Sequence, residues 1–175
     1  MDTEIFRAIN GLAGQVPWLD AAIAGISRYA IYASILAVLL LFIKDRKAAF
    51  AGVFGIVLGL VIDVLIRLFY TRPHPFSVLD NMNLLADREV SASFPSDTAM
   101  MAFAAALAIW MASKKWGGFA FLVAGFVALS RVYVGFHFPA DILAGTVIGL
   151  AATGGIYALM PDRKNSWRNQ NHFPN

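Results

Sequence analysis

The chain has 175 residues, of which 59% are hydrophobic and only 14% are charged. This composition lies far outside the range of soluble globular domains and predicts a membrane protein. The sequence contains no cysteine, which excludes disulfide bonds and thiolate chemistry. Its net charge of +3 is small, and we expect no nucleic-acid partner.

Residues 2–17 are too polar to cross a bilayer. Within them Ile5, Phe6, Ile9 and Leu12 recur at helical spacing, which predicts a short N-terminal helix lying in the membrane interface. The acidic start, with no apolar run directly after it, argues against a cleaved signal peptide.

Five apolar stretches follow, at about 21–43, 48–69, 98–113, 116–136 and 139–160. Four of them approach the roughly 20 residues that a bilayer-spanning helix needs, whereas the third is shorter. We therefore predict an all-α polytopic membrane helix bundle with about five transmembrane helices. Residues 1–160 are expected to form one membrane-embedded domain, and residues 161–175 a polar cytoplasmic tail.

Basic side chains indicate the orientation of the bundle. They cluster between the first two stretches, between the third and fourth, and after the fifth, at Lys44, Arg46, Lys47, Lys114, Lys115, Arg163, Lys164 and Arg168. With five crossings these sites share one side, which the positive-inside rule makes cytoplasmic. The segments 70–97 and 137–139 then face outward.

Polar side chains also recur at one depth in the predicted bundle. Arg28, Asp63, Thr98 and Arg131 each lie about 15 residues from the cytoplasmic boundary, or roughly 22 to 24 Å along a helix. They predict a shared polar layer, in which Arg28, Asp63 and Arg67 form an ion-pair network.

Glycines in the second and fifth stretches are spaced for close helix packing. The pairs are Gly55 with Gly59 and Gly145 with Gly149, each a small-x-x-x-small step. Such steps let helix backbones approach each other closely within a membrane.

Two of the three outward-facing polar segments lie in the long connection between the second and third stretches. In residues 71–76, proline ends the second stretch and leaves Arg72 at the outer surface. Residues 93–98 predict the start of a helix, with Ser96 and Asp97 as capping residues. The free backbone N–H groups of such a helix start can bind an anion.

The third polar segment, residues 130–141, joins the last two stretches and contains Arg131, His137 and Asp141. A carboxylate four residues after a histidine can hold one ring nitrogen as a donor, which leaves the other nitrogen to attack phosphorus. Guanidinium groups bind phosphate oxygens bidentately. Together these groups predict phosphoryl transfer. Without further clustered His or Cys ligands, no metal site is expected.

The third segment matches a motif of the type 2 phosphatidic acid phosphatase superfamily at Ser130, Arg131, Gly135, His137 and Asp141. Residues 94–97, Phe-Pro-Ser-Asp, resemble the second motif of that family, and residues 72–73, Arg-Pro, match the end of the first. The resemblance covers residues 60–150. Within the family, the small five-span chain resembles the bacitracin-resistance-type undecaprenyl-diphosphate phosphatases.

This resemblance implies an enzyme that hydrolyses undecaprenyl pyrophosphate, a polyprenyl lipid carrier recycled in peptidoglycan biosynthesis. The implied site faces outward from a bacterial plasma membrane and needs no cofactor. His137 is the implied nucleophile, and Asp141 orients it. The groups implied to hold the substrate phosphates are Arg72, Ser96, Asp97, Ser130 and Arg131. Arg88, with the segment 76–93, is expected to cover the pocket.

The sequence departs from the family pattern at two positions. Leu65 occupies a place where the first motif carries lysine, and Arg67 lies about 200° further round the helix. Thr98 replaces the histidine that protonates the leaving group. Because a threonine hydroxyl hardly ionises near neutral pH, we expect this form to be impaired. His74 is predicted to be a loop residue, with service as a replacement acid as the alternative.

Two other functions remain open from the sequence. The first is a phosphatase for phosphatidic acid or phosphatidylglycerol phosphate, which uses the same chemistry. The second is a non-catalytic lipid-phosphate binder or transporter, which has kept the pocket but has lost the general acid at position 98. The sequence does not indicate an oligomeric state.

Overall fold

The structure, a computed structural model, describes residues 1–86 and 92–161. These ranges contain α1 (Asp2–Asn10), α2 (Pro17–Lys44), α3 (Arg46–Phe69), α4 (Pro75–Val78), α5 (Asp97–Ala112), α6 (Lys114–Tyr133) and α7 (Pro139–Leu159). No strand occurs in the described ranges, and the predicted all-α fold is confirmed. The predicted tail lies outside them except for its first residue, as does Arg88.

Within residues 1–86 and 92–161, four helices are long and apolar enough to cross a membrane: α2, α3, α6 and α7. The fifth, α5, is apolar but has only 16 residues, as the short third stretch predicted. The first span begins earlier than expected because Pro17 occupies its first turn, where a missing N–H costs nothing.

Helix α6 ends earlier than its apolar stretch because of Gly135, which adopts a positive φ of 89°. The N–H of Gly135 donates to the carbonyl of Val132 at 3.1 Å, and the N–H of Phe136 donates to that of Arg131 at 3.0 Å. This pair of bonds is a Schellman-type helix end. A Cβ on Gly135 would lie 2.3 Å from a neighbouring methionine methyl group. The glycine therefore sets the turn that leads into His137.

Helix α5 lies at the centre and packs against α2, α3, α6 and α7. Small side chains make this possible, since its buried residues include Ala99, Ala102, Ala104, Ala105, Ala106 and Ala108. A Cβ on Gly145 of α7 would lie 2.3 Å from the carbonyl oxygen of Ser96, and one on Gly149 would lie 2.2 Å from that of Met100. The predicted glycine packing is thus observed, with α5 and α7 in backbone contact.

The N-terminal helix is confirmed over Asp2–Asn10, and it packs on the bundle more closely than an interfacial helix would need. Phe6 is fully buried, with its ring centroid 5.4 Å from that of Phe138. The side-chain amide of Asn10 donates to the carbonyl of Tyr133 at 2.8 Å. Helix α1 is therefore fixed to the end of the bundle at which α6 stops and α7 starts.

Candidate active site

His137 lies in the turn between α6 and α7 and is fully buried. Its Nδ1 is 2.9 Å from the carbonyl oxygen of Ser93 and 3.8 Å from Oδ2 of Asp141. The imidazole–carboxylate pair expected from the sequence is therefore close but not in direct hydrogen-bond contact. A carbonyl can only accept, so Nδ1 carries a proton, and in the neutral imidazole Nε2 then carries the lone pair.

Asp141 holds the surrounding groups together. Its Oδ2 accepts from the N–H of Phe138 at 2.9 Å and from the hydroxyl of Ser93 in a short hydrogen bond. Its Oδ1 accepts from Nη1 of Arg72 at 2.8 Å. The bond to Phe138 follows from the local sequence, because a carboxylate at the third position of α7 reaches back to cap the helix start.

Arg72 lies between two carboxylates. Its Nη1 donates to Asp141, and its Nη2 donates to Oδ2 of Asp2 at 2.5 Å. Its guanidinium also lies 4.1 Å from the ring centroid of Phe138. Partial burial alone would lower the pKa of Arg72, but the hydrogen bond to Asp2 and the nearby Asp141 raise it above its ordinary value. The guanidinium therefore stays charged.

Arg131 is turned towards α2. Its Nη1 donates to the hydroxyl and carbonyl of Ser27 at 2.8 and 3.1 Å, and its guanidinium lies 4.8 Å from the ring centroid of Phe136. The two phenylalanines next to His137 in the chain thus each make a cation–π contact, Phe138 with Arg72 and Phe136 with Arg131. Arg131 also lines a cavity of about 870 Å³, together with the exposed Arg28 of α2.

The start of α5 meets the start of α7 through Ser96. The hydroxyl of Ser96 accepts from the N–H of Ala99 at 3.4 Å, which confirms the predicted cap. Its own N–H donates to the carbonyl of Asp141 at 3.0 Å. Thr98 is fully buried, and both its N–H and its hydroxyl donate to Oδ1 of Asp97, at 2.7 and 3.2 Å.

The other polar residues of the predicted layer divide into separate contacts. Asp63 and Arg67 form the expected ion pair, at 3.0 Å, and Arg67 also donates to the carbonyl of Pro95 at 3.1 Å. Arg67 therefore supports the segment that leads into α5. The hydroxyl of Ser130 donates to the carbonyl of Val127 in its own helix, at 2.7 Å.

From the sequence, His74 was placed at the site only as an alternative acid, and Ser93 was given no role there. His74 lies in a loop, as predicted, but it is fully buried, with its ring centroid 5.3 Å from that of His137. Its Nδ1 is 2.6 Å from the carbonyl oxygen of Phe136. For Ser93, the only sequence signal was its nearness to the second motif. In the described ranges, no three His, Asp or Glu side chains are grouped to hold a metal ion.

Comparison with known proteins decides the family. The sequence model of the PAP2 superfamily matches residues 48–165. The chain belongs to the PAP2 superfamily. It is 38% identical over 155 residues to the undecaprenyl-diphosphatase BcrC of Bacillus subtilis, covering 86% of this chain and 79% of that protein. It is also 28% identical over 152 residues to an undecaprenyl-diphosphatase of Sulfolobus acidocaldarius, covering 85% of this chain and 73% of that protein.

Solved structures agree with the family. The crystal structure of Aquifex aeolicus LpxE matches with a TM-score of 0.81 at 28% identity, over 90% of this chain and 94% of that one. A PAP2-type phosphatidylglycerolphosphate phosphatase from Bacillus subtilis matches with a TM-score of 0.66, over 98% of this chain and 89% of that one. At 19% identity, the second match shows the fold alone. This PAP2 protein is thus a multi-pass membrane lipid phosphatase.

Proposed function

We propose that this PAP2 phosphatase hydrolyses undecaprenyl pyrophosphate to the monophosphate at the outer face of a bacterial plasma membrane. The observation that carries the reaction is the position of His137, with Nδ1 2.9 Å from the carbonyl oxygen of Ser93 and the Asp141–Arg72 pair beside it. The substrate is inferred from the relatives that are named undecaprenyl-diphosphatases.

The proposed reaction has two steps. Nε2 of His137 attacks the terminal phosphorus, and the P–N bond forms as the bridging P–O bond breaks and the lipid monophosphate leaves. Nδ1 keeps its proton, which it donates to the Ser93 carbonyl, so the ring of the phosphohistidine is positively charged. Asp141, at 3.8 Å, stabilises that charge electrostatically. Water then attacks the phosphorus, the P–N bond breaks with its electron pair returning to Nε2, and orthophosphate leaves with the protons of the water.

In this proposal, Arg72 and Arg131 supply the positive charge that balances the negative charge of the transferred phosphoryl group. The guanidinium of Arg72 lies against the ring of Phe138, and that of Arg131, which also donates to Ser27, lies against the ring of Phe136; these phenylalanines precede and follow His137 in the chain. The start of α5 at Ser96 and Asp97 adds the positive end of a helix dipole. Preorganised donors and dipoles of this kind stabilise the negative charge that develops on the phosphoryl oxygens in the transition state.

Thr98 favours a pyrophosphate over a phosphate monoester as the substrate. Cleavage of a pyrophosphate releases a phosphate monoester, whose second pKa is about 6, so it leaves as an anion near neutral pH. Cleavage of phosphatidic acid releases an alkoxide, which needs a proton from a general acid. With threonine at position 98, the site retains the easier of the two reactions.

The test is orthophosphate release by the purified chain from undecaprenyl pyrophosphate and, separately, from phosphatidic acid. We expect release from the pyrophosphate to exceed release from the monoester by at least about 100-fold, the lower end of the range for general-acid assistance. His137→Ala should abolish release from both. Equal rates on the two lipids would contradict the leaving-group argument, and turnover that survives in His137→Ala would move the nucleophile to His74.

A non-catalytic lipid-phosphate binder is the second candidate. It is favoured by one observation, the full burial of Thr98 with its hydroxyl directed at Asp97. The same preparation separates the two functions. Binding of undecaprenyl pyrophosphate without any orthophosphate release would establish the binder.

A further inference from the structure

The N-terminal helix supplies a carboxylate to the site. Asp2 accepts from Nη2 of Arg72 through Oδ2, at 2.5 Å, and from the N–H of Ala140 through Oδ1, at 3.0 Å. Ala140 lies in the first turn of α7. A guanidinium and a free amide of a first helical turn are the two kinds of donor that bind phosphate oxygens in proteins. Asp2 therefore occupies donors that a phosphate would use.

The charges around Arg72 also oppose the binding of a phosphate. One guanidinium is shared between two carboxylates, Asp2 and Asp141, which leaves this group of three with a net negative charge. A phosphate that approaches Arg72 is repelled by that charge until one carboxylate withdraws.

Asp2 is the carboxylate that can withdraw. Asp141 is fully buried and accepts two further hydrogen bonds, from Phe138 and Ser93, whereas the side chain of Asp2 is 30% exposed. Helix α1 is anchored further along by Phe6, so the Asp2 side chain can rotate into solvent while the helix stays in place.

We infer that Asp2 is a displaceable counter-ion of Arg72 that sets the affinity of the site for phosphate groups. This inference rests on the proposed function, since it takes Arg72 as a substrate-binding residue. A phosphate group replaces the Asp2 carboxylate on Arg72 and on the Ala140 N–H when it binds. The carboxylate returns when the phosphate product leaves, and it thereby speeds product release.

The test is calorimetric titration of the purified chain in detergent with inorganic pyrophosphate and with orthophosphate. In Asp2→Asn the side chain keeps an oxygen for the Ala140 N–H but loses its charge. We expect its dissociation constants for both anions to fall about three- to tenfold, which is the range for losing a competing charged hydrogen bond that is partly exposed. The drop should be smaller at high salt.

The matched control is Glu4→Gln, which removes one negative charge from the same helix at a side chain that is 81% exposed and pairs with the chain's amino group. Its dissociation constants should stay within twofold of the unmodified chain. In an Arg72→Gln background, Asp2→Asn should no longer tighten binding, an outcome that a purely structural role for Asp2 would not give. The unfolding midpoints of all variants are measured to check that each variant retains the fold.

Unchanged or weaker anion binding in a folded Asp2→Asn chain overturns the inference and leaves the proposed function standing. A failure of every chain, the unmodified one included, to bind either anion has a different meaning. It overturns the phosphate site itself, and the inference with it.

Discussion

Ser93 links the two groups on which the proposed chemistry depends. Its carbonyl accepts from Nδ1 of His137, and its hydroxyl donates to Asp141. One residue thus fixes the tautomer of the imidazole and the orientation of the carboxylate. The hydroxyl can be removed without touching the carbonyl, so the two roles are separable by experiment.

We predict that Ser93→Ala lowers the rate of orthophosphate release about 10- to 100-fold, the kinetic equivalent of one hydrogen bond to a charged group. The Nδ1 contact of His137 persists, but Asp141 loses a donor. Ser34→Ala is the matched control, because that buried hydroxyl donates to the carbonyl of Ala30 within its own helix. Steady-state kinetics on both variants would check this. Equal, small effects would show that the Ser93 hydroxyl has no role in the reaction.

Thr98 supports a second prediction about a single residue. Thr98→His should raise orthophosphate release from undecaprenyl pyrophosphate by at least about tenfold, which is less than the usual effect of a general acid because the leaving monophosphate is already a stable anion. The gain should be larger for phosphatidic acid, whose alkoxide leaving group needs the proton more. Thr98→Val, which removes the hydroxyl without adding an acid, is the control. If the unmodified chain is already fast and Thr98→His does not change it, another group supplies the proton.

The spacing within one short motif was enough to place His137 beside Asp141, whereas Arg72, 69 residues from Asp141, was placed at the site by the family resemblance. Neither the spacing nor the resemblance could reveal the contacts of Ser93 with His137 or of Asp2 with Arg72. These pairs lie 44 and 70 residues apart, and hydrogen bonds between them depend on how distant parts of the chain fold together. The spacing of His137 and Asp141 predicted an imidazole–carboxylate pair, but Nδ1 lies 3.8 Å from Oδ2 of Asp141 because it contacts the Ser93 carbonyl instead.

Helix α5 joins the second motif to the third by backbone contact. Gly145 of α7 faces the carbonyl of Ser96 so closely that any Cβ would force the helices apart. The glycine spacing predicted close packing, but it did not predict the partner. That the short helix α5 is the central one follows from its alanine content, which lets four neighbours approach it.

Gly145→Ala should lower the free energy of unfolding by about 1 to 3 kcal/mol, since overpacking against backbone atoms cannot be relieved by a rotamer change. Gly125→Ala in α6 is the control with the opposite sign. Nothing lies within 4 Å of its added Cβ, so the better helix propensity of alanine should stabilise the chain by up to about 1 kcal/mol. Denaturant titration in micelles measures both. Equal destabilisation by the two variants would contradict the packing argument.

The whole bundle has two chemically different ends. The candidate site lies at the end where α3 and α6 finish and α5 and α7 begin. The opposite end carries the junctions of α2 with α3 and of α5 with α6, where Lys44, Arg46, Lys47, Lys114 and Lys115 lie. The sequence predicted this separation correctly because five crossings and the lysine positions fix it without any tertiary contact.

The same charges predict the side of the membrane on which the site lies. From the positive-inside rule we expect the lysine-rich end in the cytoplasm and the site on the outer side. A chain without cysteine allows a direct check, because a single introduced thiol is the only one that can react. Asp80→Cys lies at the site end and Lys115→Cys at the other, and both positions are exposed.

In intact cells that express the chain, a membrane-impermeant maleimide should label Asp80→Cys at once. It should label Lys115→Cys only after the cells are permeabilised, because the reagent cannot cross the bilayer to the cytoplasmic end. The unmodified chain should remain unlabelled under both conditions. The reverse pattern would place His137 on the cytoplasmic side. It would also exclude a substrate presented at the outer leaflet, since the same bundle cannot expose both ends to one compartment.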